Sequence, residues 1–255
     1  MNKKMFSVLY NLLFGVLACV FLFSAWMMFT EIKTYKQEKE ANEVLNQYVE
    51  VPVIDKKEDE EQAVVDDPFP EVDFTSLLEI NQDCIGWIYI PDSNVNYPVV
   101  QTDNNDYYLK RLFDKTWGHS GTIFLDAEND VSLTGRHSIL YGHHMKNGTM
   151  FGDVENYEKQ EFADQHPTGY LVTLDSKYEL QFFAGYVTDT LNDCWEIEFE
   201  NDAVFEQWLK DAKDRSAFQS EITPEITDRI ITLSTCSYDI EDGRFVLLGI
   251  LVEKR

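Results

Sequence analysis

Residues 5–29 read MFSVLYNLLFGVLACVFLFSAWMMF and contain no charged side chain. A bilayer offers no water to pair backbone N–H and C=O groups, so a run this long and apolar has to close its hydrogen bonds on itself as a helix. About 20 apolar residues suffice to span the hydrocarbon. A secretory signal would have an apolar core of about 7–15 residues followed by small residues. Here the run is longer and the following WMMFTEIK is bulky. The reading is an uncleaved single-pass anchor over residues 1–30. Lys3 and Lys4 precede it and Lys33, Lys36 and Lys39 follow, so the basic flanks balance. The short leading flank and the long following segment favour a cytoplasmic N-terminus and an exported remainder, because long segments translocate largely regardless of charge.

Residues 31–73 form the next region. Its first part continues as a polar helix to about residue 50. VPVIDKKEDEEQAVVDDPFPEVD then carries charge runs and three prolines. That composition cannot supply a core and reads as an acidic linker. The folded domain is placed at residues 74–255, a length that suits one domain. The chain as a whole carries a net charge of -25. It therefore repels polyanions, and no basic patch with interleaved aromatics is present, which sets nucleic-acid partners aside.

Inside the domain, short strands dominate. DFTSLLEINQD has helical spacing; IGWIYIPDS and NYPVVQT alternate and end at turns. NDYYLKRLF reads as a helical turn, GTIFLDA and HSILYGHH as strands. YLVTLDSKYELQFFAGYVTD reads as two strands about an Asp-Ser-Lys turn. NDAVFEQWLKDAKDRSAF is helical, with Val204, Phe205, Trp208, Leu209 and Ala212 on one face and Asp202 as its N-cap. RIITLSTC and RFVLLGILV close the chain. Strands this short and regular predict a barrel or a sandwich, with one inserted helix.

Cys19 lies in the anchor, leaving Cys84, Cys194 and Cys236, an odd number, so at least one exported thiol is free. A Cys84–Cys194 bridge stays open on sequence grounds. RIITLSTC and RFVLLGILV flank the seven-residue loop SYDIEDG. An antiparallel hairpin there brings Cys236 and Arg244 to one end of a sheet. A guanidinium beside a thiol favours the thiolate and can hold a developing oxyanion. A nucleophilic cysteine also needs a base. Of the five histidines, His143 and His144 end a strand-like run, beside Gly142 and ahead of a loop containing Gly148. Adjacent strand residues face opposite ways, so only one of the pair is expected to face Cys236, and a His-His metal clamp is not expected. HExxH and CxxC spacings are missing, so no metal is expected. The papain, caspase and G-x-S-x-G signatures are missing too.

TLSTC with Arg244 beyond a short loop closely resembles the signature of sortases, the cysteine transpeptidases of Gram-positive cell surfaces. ILYGHHMKNGTMFGDVENY resembles the histidine segment of class B sortases, as do INQDCIGWIYIPDSNVNYPVVQ, DNNDYYLKRLF and GTIFLDAEN in the same order. FEQWLKDAK resembles the class B helix inserted before the penultimate strand. The likeness covers about residues 74–255. It implies a mainly β fold, a closed eight-stranded barrel with flanking helices. It implies Cys236 as nucleophile, His143 as acid and base, and Arg244 as support for the substrate carbonyl and oxyanion. Asp126 matches an acidic position that orients the histidine, and Ser234 and Thr235 are supporting positions within TLSTC. His144 stands where the family pattern has Asn or another polar residue. The likeness further implies no cofactor, secreted partners bearing a C-terminal sorting signal, often of Asn-Pro-x-Thr type, and a peptidoglycan amine as acceptor. Two alternatives are weighed against it: a pilin polymerase using a lysine acceptor, and an inactive membrane-tethered module that only holds signals.

Overall fold

Alternating apolar residues become strands and the uncharged N-terminal run becomes helix in the computed structural model. It describes residues 3–52, 67–145, 147–189, 193–236 and 243–254, with the backbone alone at 3–6, 8, 9, 193 and 236. The chain divides into two compact units, Met1–Ala41 and Asn42–Arg255.

The first unit is helical. Helix α1 runs Lys3–Leu45 and continues into the second unit. Its apolar stretch has a mean hydropathy of 2.4, long and apolar enough to cross a membrane by length and composition. Phe14, Leu17, Phe21, Leu22, Trp26 and Phe29 are all exposed. A helix that is apolar all round, with nothing packed on it, suits a lipid surround.

The second unit is built on a barrel. A two-residue strand β1 (Val49–Glu50) pairs antiparallel with β2 (Glu71–Val72). The central linker residues 53–66 lie outside the described residues. Near the linker's end Phe69 is buried, its ring edge-on to Tyr170 at 5.0 Å. Then come α2 (Phe74–Ile80), β3 (Cys84–Tyr89), β4 (Asn96–Val100), β5 (Ile123–Leu125), β6 (His137–Tyr141), α3 (Gln160–Gln165), β7 (Thr168–Thr173), β8 (Lys177–Thr188), α4 (Asp202–Arg215), β9 (Ile230–Cys236) and β10 (Arg244–Lys254). Eight strands close into a barrel in the order β10-β8-β7-β3-β4-β5-β6-β9. The pairs β4–β5 and β6–β9 are parallel and the others antiparallel. Closure removes every free edge among these strands. The extra residue of β8 opposite Leu248/Gly249 forms a bulge, which bends the two longest strands around the barrel.

Helix α4 covers one outer face. Phe205, Trp208, Leu209 and Ala212 are buried against Phe183, Tyr186, Val246 and Leu248. Each large side chain there stabilises by about 1.5–3 kcal/mol. Val204 is left 39% exposed, at the edge of the expected face. The N-cap is Asn201, whose side chain accepts from the Val204 N–H, rather than Asp202. Asp202 instead pairs with Arg136. Cys84 and Cys194 are both buried and neither is in a disulfide; they lie in separate apolar clusters, one under α2 and one under α4. The bridge left open by the sequence is therefore not made.

Candidate active site

Parallel pairing of β6 with β9 sets Tyr141 against Ser234, and antiparallel pairing of β9 with β10 sets Cys236 against Arg244. The expected hairpin thus forms, with cysteine and arginine as its last register pair at one barrel end. The side chain of Cys236 and residues 237–242 lie outside the described residues.

β6 stops at Tyr141, and the Gly142 N–H donates to the Ser234 carbonyl at 3.0 Å. A Cβ at Gly142 would lie 2.4 Å from Ile123 Cδ1 and 2.6 Å from Phe151 Cδ2. Only glycine lets the backbone slip between them. His143 follows. Its Nε2 lies 2.7 Å from the Leu109 carbonyl. A carbonyl only accepts, so Nε2 carries the proton, and Nδ1 holds the lone pair in the neutral ring. His144 turns elsewhere, with Nδ1 2.9 Å from Glu155 Oε2. The two rings diverge, but not through strand alternation, since the strand has ended. A small bridge, His144 to Met150, and the Phe151 N–H on the His143 carbonyl at 3.0 Å set their directions.

His143 opens on a cleft of about 350 Å³, lined also by Asn105, Leu109, Tyr141, Trp195, Ser234, Thr235 and Arg244. Arg244 is the only lysine or arginine among these lining residues; its Nη1 donates to the Gly243 carbonyl at 3.0 Å. Three buried polar atoms of the lining make no hydrogen bond among the described residues: Trp195 Nε1, Ser234 Oγ and Thr235 Oγ1. Buried donors without partners cost about 1–3 kcal/mol each. Such atoms can hydrogen-bond to a polar group bound in the cleft.

Asp126 is buried. Its Oδ2 accepts from Tyr141 Oη at 2.9 Å and Asn105 Nδ2 at 3.0 Å, and its Oδ1 from the Glu128 N–H at 2.9 Å. The orienting contact on Nε2 of His143 is the Leu109 carbonyl; Asp126 instead fixes two side chains of the cleft wall. Burial, then the Asp126 charge, drives the Tyr141 phenol far above its ordinary pKa. It stays a neutral donor.

The other histidines are occupied structurally. His137 is fully buried, its Nδ1 2.7 Å from the Glu196 carbonyl and its Nε2 2.7 Å from Thr232 Oγ1. Desolvation lowers its pKa to about 4. His166 places its nitrogens 2.8 Å and 3.2 Å from the carbonyls of Phe162 and Asp92. His119 stands edge-on to Trp117 at 4.2 Å. Burial pushes the Cys84 thiol up to about 12, which leaves it an inert thiol at neutral pH. Among the described residues, no group of three or more His, Cys, Asp or Glu could hold a metal.

Sequence reasoning did not single out Leu109, Asn105, Tyr141 or Trp195. An aromatic just before the Gly-His pair was a usable signal for Tyr141. The contribution of Leu109 is a backbone carbonyl, which leaves no mark in a sequence.

A sortase-domain family profile matches residues 88–252. The chain is 35% identical to Sortase B of Listeria monocytogenes over 237 residues, covering 92% of this chain and 93% of that protein. Among solved structures, sortase B of Bacillus anthracis in complex with AAEK1 superposes with a TM-score of 0.73 at 34% identity, covering 88% of this chain and 100% of that one. The Staphylococcus aureus sortase B–substrate complex gives 0.68 at 36% identity, covering 71% and 85%.

Proposed function

Because the chain belongs to the sortase family, with sortase B relatives, we propose that it is a membrane-anchored cysteine transpeptidase using Cys236, His143 and Arg244. It cleaves a C-terminal sorting signal on secreted proteins and joins the new carboxyl end to an amine of the cell wall. The observation that carries the reading is the register pair Cys236–Arg244 at the end of β9, whose neighbouring residues line the cleft shared with His143 and Arg244.

In the proposed reaction the Cys236 thiolate attacks the scissile carbonyl carbon. The tetrahedral oxyanion is stabilised by the Arg244 guanidinium. The His143 imidazolium protonates the departing nitrogen. The C–N bond breaks, leaving a thioester and releasing the C-terminal fragment. An acceptor amine then attacks the thioester, returns its proton to His143, and expels Cys236. The unpartnered donors Trp195, Ser234 and Thr235 support a signal rich in amide and hydroxyl oxygens, of the Asn-Pro-x-Thr kind. Tyr141, Asn105 and Asp126 hold the wall of that subsite. The apolar helix α1 supports anchoring, with the catalytic unit on the outer face, where secreted substrates emerge.

The test is mass spectrometry of the full-length chain in detergent micelles with Pro-x-Thr peptides, with and without an added amine. A thioacyl adduct on Cys236, absent in Cys236→Ala, is expected. Amine-dependent product with a wall-peptide amine supports wall anchoring. Isopeptide ladders with a lysine-bearing pilin substrate would instead establish a polymerase. A Cys236 that neither acylates nor alkylates would overturn the enzyme reading.

A further inference from the structure

The Leu109 carbonyl that receives the His143 Nε2–H belongs to a single 3-10 turn, Tyr107–Lys110. Its neighbours are all engaged from behind by residues 118–122. The Tyr108 carbonyl accepts from the Thr122 N–H at 3.1 Å and the Lys110 carbonyl from the Gly118 N–H at 3.1 Å. The Arg111 carbonyl accepts from Thr122 Oγ1 at 2.9 Å. Within this row the Leu109 carbonyl is the one offered to the histidine.

Gly121 makes this packing possible. It has φ +60, and a Cβ there would sit 2.5 Å from the Tyr108 oxygen and 2.9 Å from the Leu109 oxygen. Any side chain at 121 would collide with the carbonyl that holds the histidine, in a backbone region that also disfavours one. The turn is tied to the start of β3 as well. Tyr108, 1% exposed, donates from Oη to Asp83 Oδ2 at 2.7 Å and accepts from Asn81 Nδ2 at 2.7 Å. Lys115 Nζ reaches the same Asp83 oxygen at 2.9 Å.

We infer that Gly121 and Tyr108 are positioning residues for the proposed reaction: they hold the Leu109 carbonyl where it fixes the tautomer and ring plane of His143. The inference rests on the assignment of His143 as acid and base. A wrongly placed ring would still let substrate bind, because the ring's task is proton transfer and Asn105, Tyr141, Trp195, Ser234, Thr235 and Arg244 of the cleft wall lie on other segments. The loss therefore falls on turnover, not on affinity.

The test uses the full-length, 15N-labelled chain in detergent micelles. Two-bond 1H–15N spectra read the His143 tautomer, and steady-state peptide transfer reads kcat and KM. Wild type is expected to show Nε2–H alone. Gly121→Ala is expected to show a mixture of tautomers and a kcat lower by at least about tenfold, with KM nearly unchanged. Tyr108→Phe keeps the ring and loses the tie; its kcat is expected to fall about threefold with the same spectral change. If Gly121→Ala does not fold, Tyr108→Phe decides. A wild-type tautomer and wild-type kcat in the folded variants, with His143→Ala inactive, would overturn the positioning role alone. Wild-type turnover by His143→Ala would overturn the acid–base assignment and this inference with it.

Discussion

Strands β6 and β9 lie side by side and parallel, from His137 against Ile230 at one end to Tyr141 against Ser234 at the other. Each end presents a histidine, and the two are handled in opposite ways. At the first, both His137 nitrogens have partners, Asn129 Nδ2 donates to its carbonyl at 2.9 Å, and the ring lies 4.7 Å from that of Trp208. At the second, Ser234 Oγ, Thr235 Oγ1 and Trp195 Nε1 have no partner among the described residues. Even the tautomers differ. The Glu196 carbonyl puts the His137 proton on Nδ1, and the Leu109 carbonyl puts that of His143 on Nε2. One end uses its polar groups to hold the barrel shut; the other leaves three of them, among the described residues, facing a cleft.

The sharpest way to break this contrast is acid. The His137 pKa is depressed from 6.5 to about 4 by desolvation, so its neutral form contributes stability that is complete above the unfolded value and lost as pH falls toward 4. The loss amounts to about 3 kcal/mol. Urea unfolding at several pH values should show this slope in wild type, and the slope should shrink in His137→Gln. An identical slope in both proteins would mean the ring is not buried neutral.

At the open end, Arg244→Ala should lower kcat about a hundredfold without lowering the melting temperature. Arg244→Lys should recover little, because an ammonium cannot present the same fork. A melting temperature that collapses with activity would move Arg244 to the structural side of the comparison.

Paired hydroxyl deletions then set the ends against each other directly. Thr232→Val strips the partner from His137 Nε2 and should cost about 2 kcal/mol of stability. Ser234→Ala, two residues along the same strand, loses no hydrogen bond to the described residues and should change stability by less than about 0.5 kcal/mol, while raising the KM for a signal peptide. Equal stability losses in the two would erase the distinction.

Much of the frame is legible in the chain itself. The alternation in RIITLSTC and RFVLLGILV, with a seven-residue loop between, is enough to set Cys236 against Arg244. The spacing of Phe205, Trp208, Leu209 and Ala212 marks the buried face of α4. What escapes sequence reading has physical causes. The parallel pairing of β6 with β9 joins segments about ninety residues apart, and nothing local announces it. The N-cap is Asn201, one residue earlier than the spacing suggests, and Asp202 pairs with Arg136 across the fold. The divergence of His143 and His144 comes from a strand that ends at Tyr141, and a period-2 pattern does not say where it stops. The partner of His143 is a main-chain oxygen.

The barrel order leaves β9 clasped between β6 and β10, and both strands of that final hairpin follow every other element in sequence. Pairings of such long range form late, after the loop-closure entropy has been met. Synthesis delivers the histidine well before the thiol and the guanidinium. On the proposed assignment, the nucleophile therefore arrives only with the segments that complete its enclosure. On that assignment, a chain that still lacks these two strands has no complete site, and the barrel's own topology sets when the site is assembled.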